Sequence, residues 1–140
     1  EMDFLFQFVK QDGRNFIYSM GLAGAMTNIA TNALNHWPKD GTTAEIQRYT
    51  TGANALALGA YSRYINSSAA ISDASYVRLK SLSLSYAIPT AWAKSFSGKI
   101  YLQGQNLLTF TDYKGADPEN QSISYLPPLK QYALGVQLTF

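Results

Sequence analysis

Tyr132-Ala133-Leu134-Gly135-Val136-Gln137-Leu138-Thr139-Phe140 alternates throughout: Tyr132, Leu134, Val136, Leu138 and Phe140 point one way, and Ala133, Gly135, Gln137 and Thr139 the other. A period of two is the mark of a β-strand. A half-buried strand of a water-soluble domain passes the same test, so the second face decides, and it holds Gln, Thr, Gly and Ala without a charge. An apolar face backed by a bland one suits a strand with lipid outside and a packed or watery lumen inside.

Two other stretches behave alike. Residues 81–88 read SLSLSYAI and residues 100–111 read IYLQGQNLLTFT, again without Lys, Arg, Asp or Glu. The whole chain is 14% charged, against about 25% for ordinary soluble domains. Its charges gather outside these stretches, at Asp112, Asp117 and Glu119 or at Lys94 and Lys99. Soluble sheets put charge on the wet face and use it to blunt their edges, so exclusion of charge from whole segments favours a membrane barrel. An aromatic content of 14% with 10 Tyr agrees, because amphipathic rings collect at the two water interfaces of such barrels. Mean hydropathy is only -0.13, and no apolar run approaches the roughly 20 residues a spanning helix needs.

Several function classes drop out on composition. A net charge of +2 with no basic stripe gives no footprint for nucleic acid. The absence of Cys removes disulfides, thiolate metal sites and thiol nucleophiles. The single histidine, His36, allows no multi-histidine metal site, and within Asn35-His36-Trp37 it reads as a loop anchor. The chain is therefore read as a non-enzyme, with no cofactor and no metal. It opens with Glu1-Met2-Asp3-Phe4 running straight into a strand, without basic n-region, apolar core or cleavage site. Any export signal is expected upstream.

Along the chain, Met2–Lys10 forms a first strand, with Phe4, Phe6 and Phe8 on one face and Asp3, Leu5, Gln7 and Val9 on the other. Lys10-Gln11-Asp12-Gly13-Arg14 reads as a turn. From Phe16 to Trp37 apolar residues recur every three or four positions, which predicts a helix ending before Pro38, although Gly21 and Gly24 each weaken it by roughly 1 kcal/mol. Pro38–Ser75 reads as a long ordered loop, within which Ala53–Ala60 is undecided between loop and helical turn. Further strands are expected at about 76–88, 99–111 and 130–140. Thr90 caps a helical turn that places Trp92 and Phe96 on one side. Barrels of the outer membrane have short periplasmic turns and longer outer loops. That assigns 11–75 and 112–129 to the outside, 89–98 to the periplasmic side, and Phe140 to the periplasmic end. A strand of about ten residues, at roughly 3.3 Å each and tilted about 40°, rises about 25 Å, the height of the apolar band. Four strands cannot close a barrel, whose smallest form has about 8, so the expectation is all-β: the C-terminal antiparallel strands of one larger transmembrane barrel domain, with a long, partly helical outer loop.

These residues resemble the SusC/RagA-type TonB-dependent transporters of Bacteroidetes outer membranes. The likeness is carried by SYVRLKSLSLSYAIP at 75–89, IYLQGQNLLTFTDYKGADPE at 100–119 and YALGVQLTF at 132–140. Leu34-Asn35-His36-Trp37 with Ile46-Gln47-Arg48 is similar to the family's tryptophan loop, but His36 and Gln47 depart from its usual Arg and Pro. The resemblance implies a barrel of about 22 strands with a plugged lumen. It further implies import of glycan or peptide cargo driven by the TonB system, a SusD-like surface lipoprotein as partner, and a plug and TonB box lying upstream. Gly135, Leu138 and Phe140 resemble the barrel-assembly signal of outer-membrane proteins, readable by β-augmentation.

Six aromatic residues of the outer connections, Trp37, Tyr49, Tyr61, Tyr64, Tyr113 and Tyr125, are candidates for contact with cargo or with the partner lipoprotein. Leu82, Leu84, Tyr86, Tyr132, Leu134 and Val136 are expected to face lipid. Asp112, Asp117 and Glu119 do not follow calcium-loop spacing, and Asp117-Pro118 reads as a solvated turn. Asn106 shares the parity of the lipid-facing residues, which predicts a bulge near Gly104 that switches the faces. Arg78 and Lys80 share parity with Leu82 and Leu84 and are expected above the bilayer, against anionic headgroups. Two other readings stay open: a soluble carbohydrate-binding β-sandwich and a passive outer-membrane porin.

Overall fold

The computed structural model describes residues 1–140 except 30, 38–43, 45, 90, 92–95, 123, 124 and 140, and of residue 32 only the backbone. Strands β1 (Met2–Val9), β4 (Tyr76–Ile88), β5 (Ser97–Thr111) and β6 (Gln131–Thr139) form an antiparallel sheet in the order β1-β4-β5-β6. Between β1 and β4 lies an excursion containing β2 (Asp12–Arg14), α1 (Phe16–Ser19), α2 (Ala55–Ile65), β3 (Ile71–Asp73) and two short 3-10 turns, Thr31–Leu34 and Ser68–Ala70.

The pairing register fixes the two faces of the sheet. One face carries Met2, Leu84, Leu102 and Leu134 on one rung, Tyr86, Ile100 and Val136 on the next, and Phe4, Leu82, Gly104 and Tyr132 on the other side. It continues through Phe6, Leu79 and Leu108 to Phe8, Val77 and Phe110. From Ile88 to Val77 this face runs about 36 Å along β4, at roughly 3.3 Å per residue. The opposite face carries Asp3, Ser83, Gln103 and Ala133, then Gln7, Arg78 and Thr109.

Among the described residues no second layer covers most of the apolar face. Phe4 is 62% exposed and Leu134 75%, with Met2, Tyr132 and Val136 similarly bare. Burying such a side chain is worth about 1.5–3 kcal/mol, so a face of this size calls for a cover. The core is found elsewhere: Phe16, Ile17, Met20, Ala23, Ala33, Ile46 and Ala70 pack together in the excursion, with Ile29, Tyr64 and Ile65 against them. A self-contained sandwich would bury the Leu and Val rows of the sheet, and here Leu84, Leu102, Leu134 and Val136 are exposed. No helix among the described residues is long and apolar enough to cross a membrane.

The excursion departs from expectation in three places. The helix predicted over 16–37 stops after one turn at Ser19. Asn15 caps it, its side chain accepting from the Ile17 N–H at 3.0 Å, but Met20 is already extended and Gly24 takes φ +99°, bringing its backbone against Thr50. The helix instead lies at Ala55–Ile65, where Asn54 accepts from the N–H groups of Leu56 and Ala57 and an Ala/Leu-rich run propagates the turn. The segment 10–14, read as a turn, contains β2, which pairs with β3 through Asp12–Asp73, Gly13–Ser72 and Arg14–Ile71. Most of the expected turn around Trp92 lies outside the described residues.

Candidate functional site

Polar chemistry concentrates at the end of the sheet where β1 leaves and β5 enters their long connections. Its origin is an irregularity at Lys80. Leu5 pairs with Ser81 and Phe6 with Leu79, so Lys80 has no counterpart on β1; on β5 it faces both Asn106 and Leu107, since Ser81 pairs with Gln105 and Leu79 with Leu108. Asn106 adopts φ 52°, a left-handed conformation that Asn tolerates better than most residues, and its side-chain amide donates to the Leu129 carbonyl at 3.3 Å. The bulge expected near Gly104 thus sits two residues further on, and the Leu107 side chain lies over Gly104.

The irregularity corrects the placement of Arg78. Parity alone put it with Leu82 and Leu84 facing lipid headgroups; the extra residue in β4 turns it onto the opposite face, where it is 1% exposed. Its guanidinium donates through Nε to Thr109 Oγ1 at 2.9 Å, through Nη1 to Glu119 at 2.5 Å and through Nη2 to Asp117. It also lies over the Tyr76 ring. Lys80 Nζ joins at 3.0 and 3.1 Å from the two oxygens of Glu119. A buried guanidinium is tolerated only when paired and hydrogen-bonded, and here each of its three nitrogens has an acceptor.

Asp117 is correspondingly not a solvated turn residue. It is 4% exposed, yet it does open a turn: its Oδ1 accepts from the N–H groups of Glu119 and Asn120 at 2.9 and 3.3 Å. The loop after β5 therefore folds inward over the polar face. It is stitched to the excursion as well: Gln11 Nε2 donates to the Pro118 carbonyl at 2.7 Å, the Phe16 N–H to the Lys114 carbonyl at 2.8 Å, and the Tyr113 hydroxyl to the Arg14 carbonyl. The end of the Gln121 side chain lies directly over Gly13.

The six aromatic candidates separate into two groups. Tyr49 stacks on His36 at 3.8 Å and donates to the Ala33 carbonyl at 3.0 Å, while Tyr61 donates to the Met20 carbonyl at 2.5 Å. Tyr64 packs on the excursion core, and burial pushes the phenols of Tyr61 and Tyr113 above their ordinary pKa. These four tie the loops to themselves. Trp37 and Tyr125 stay open, 49% and 72% exposed. The two halves of the Trp37 loop do meet: His36 bridges to Ile46, and the Trp37 N–H donates to the Ile46 carbonyl at 2.7 Å. No group of three or more acidic or His residues among the described ones is arranged to hold a metal.

Gly135 also finds a structural role. It pairs with Tyr101, and any Cβ there would lie 2.1 Å from Tyr101 Cζ, so the ring lies across the glycine on the polar face. Sequence reasoning missed this contact and the Arg78 cluster alike, because both depend on which residues oppose one another across strands.

No family model matches the sequence. A TonB-dependent receptor P3 of Formosa agariphila is 38% identical over 105 residues, covering 70% of this chain. Its similarity is joined by that of solved structures: a chain of the RagAB peptide importer in its closed-closed state superposes over 99% of this chain with TM-score 0.70 and 27% identity. The open-open state gives TM-score 0.69 at the same identity. The chain belongs to the SusC/RagA family of TonB-dependent transporters. It spans 9% of the length of the Formosa receptor and 15% of the RagAB chain.

Proposed function

We propose that this segment forms a contiguous arc of the wall, with two outer connections, of an outer-membrane transporter. The whole barrel would have about 22 strands and a plugged lumen, and would import oligosaccharides or peptides with energy from the TonB system and a SusD-like surface lipoprotein as partner. The observation that carries the proposal is the apolar face of β1, β4, β5 and β6, free of charge and, among the described residues, left largely exposed. In this reading Leu82, Leu84, Tyr86, Tyr132, Leu134 and Val136 face lipid. The excursion and the 112–130 connection lie outside the cell, and the end of β6 lies at the periplasm. Trp37 and Tyr125 are the aromatic residues best placed for contact with cargo or lipoprotein, since the other four are engaged within the loops. Gly135, Leu138 and Phe140 serve assembly, Gly135 also seating Tyr101.

Single-cysteine labelling of the full-length transporter in outer membranes tests the sidedness. Leu134→Cys should be quenched by a lipid-confined probe and resist a water-soluble maleimide, with Gln137→Cys showing the reverse. Equal water access at both would defeat the membrane assignment. Uptake of an oligosaccharide or peptide that continues unchanged in cells lacking TonB would defeat the transporter assignment.

A further inference from the structure

The excursion joins the sheet through a narrow neck. The β1–β4 ladder ends at Val9 and Tyr76 and the β2–β3 ladder begins at Asp12 and Asp73, so only Lys10-Gln11 and Ala74-Ser75 connect the two sheets. Across the neck the Ala74 N–H donates to the Gln11 carbonyl at 2.9 Å and the Gln11 N–H to the Ser75 hydroxyl at 3.2 Å, while the Thr111 hydroxyl of β5 donates to the Ser75 carbonyl at 2.8 Å. A ladder interrupted at the ends of its strands is where a hinge lies. Beyond the neck, every hydrogen bond that leaves the excursion for another described residue goes to the loop after β5: the Phe16 N–H to the Lys114 carbonyl, and the Tyr113 hydroxyl to the Arg14 carbonyl.

That loop is built to carry load. At its far end Asp117 is enclosed with Arg78 of β4, whose Nε is held in turn by Thr109 of β5. In between, Asp117 Oδ1 accepts from the Glu119 and Asn120 N–H groups, and the Gln121 N–H donates to the Asp117 carbonyl at 2.9 Å. Gln121 itself takes φ 49°, a left-handed conformation that a residue other than Gly keeps only where its surroundings hold it. Trp37 is mounted at the other extreme. Its N–H bonds the Ile46 carbonyl, and Ile46 packs in one core with Phe16, the residue whose N–H is tied to Lys114.

We propose that residues 113–121 are a brace between sheet and excursion, pinned by Arg78 and Asp117: with the pin in place the excursion keeps one angle on the sheet, and without it the excursion swings at the neck as a single body carrying Trp37. Any contact at Trp37 that turns the excursion then works against the same pin. The proposal needs neither a membrane nor a cargo, so its failure leaves the transporter reading untouched. Spin labels at Ser62→Cys on α2 and Leu134→Cys on β6 of the full-length protein in detergent read the angle as a distance distribution, and hydrogen exchange of 16–19 and 55–65 reads whether the excursion stays folded. The parent should give one narrow distance. Asp117→Asn should at least double its width with excursion exchange unchanged, and Lys80→Gln, which leaves Arg78 paired, should leave it narrow. Gln11→Ala with Tyr113→Phe cuts the brace at its other end and should widen the distribution alike; adding Asp117→Asn should widen it no further, because one strut is broken either way. An unchanged width in Asp117→Asn, or a widening accompanied by rapid exchange throughout the excursion, would overturn the proposal. If Asp117→Asn does not fold, the Gln11→Ala, Tyr113→Phe protein decides alone, and a narrow distance there sinks it.

Discussion

Replacing Asp117 by Asn removes one charge from the most enclosed ion pair among the described residues and little else. The Asn carbonyl still accepts from the N–H groups of Glu119 and Asn120, so the turn survives, while Arg78, 1% exposed, loses the partner of its Nη2. Breaking a buried pair from one side costs about 3–5 kcal/mol. Glu119 remains on Nη1, which puts the expected loss at the lower end, about 3 kcal/mol. Asp117→Ala should lose about 1 kcal/mol more, because the acceptor of the turn goes too. Lys80→Gln breaks only a half-exposed contact to Glu119, and pairs of that kind are worth less than about 1 kcal/mol. Hydrogen exchange of the 112–122 loop in the full-length transporter reads these differences locally: about 3 kcal/mol is roughly a hundredfold increase in opening, against a few-fold for Lys80→Gln. If Asp117→Asn accelerates exchange no more than Lys80→Gln does, the guanidinium is not relying on that carboxylate and the inward-folded loop is held by its backbone bonds instead.

Two glycines should respond in opposite directions. Gly59, inside α2 with only the Arg63 side chain nearby, should gain about 0.5–1 kcal/mol as Ala, whereas Gly24→Ala at φ +99° meets the Thr50 backbone and should lose more than about 1 kcal/mol; thermal unfolding of both variants decides it, and a gain at Gly24 would contradict the close approach. Gly135→Val must displace the Tyr101 ring, so a loss of about 1 kcal/mol is expected in the parent and none in a Tyr101→Ser background; equal losses in both would show that the ring is not the reason for the glycine. Hydrogen bonds from the Ser75 hydroxyl and backbone N–H hold Asp73 below the ordinary aspartate range. Its contribution is therefore complete above the usual aspartate pKa and disappears as pH falls through the lowered value. Carboxyl NMR should show a low midpoint that rises in Ser75→Ala, and an unchanged midpoint would count against the hydroxyl.

Most of the sheet was legible in the sequence, because a strand with one apolar and one uncharged polar face declares itself residue by residue: Leu82, Leu84, Ile100, Leu102, Leu134 and Val136 alternate with Ser, Gln and Gly, and no long-range information is needed to see it. The excursion was harder. Its 16–37 stretch has helical spacing, but Gly24 lies where the chain must turn against Thr50, while the Ala/Leu run at 55–65 lacks contrast between its faces. Of the six aromatic candidates, the ties of Tyr49, Tyr61, Tyr64 and Tyr113 run to partners between 16 and 99 residues away where a bond is formed, and no local pattern announces them.

Local alternation in the sequence by itself determined that these are strands, which side of most of them avoids water, and where the long connections fall, since side-chain period and charge exclusion are properties of neighbouring residues. Only the tertiary structure decided the side taken by Arg78. One unmatched residue, Lys80, reverses the parity of everything beyond it in β4, and whether a residue is unmatched depends on the hydrogen-bond partner across the sheet. That reversal is why a guanidinium expected among lipid headgroups is instead enclosed with Asp117 and Glu119, holding the loop after β5 over the polar face.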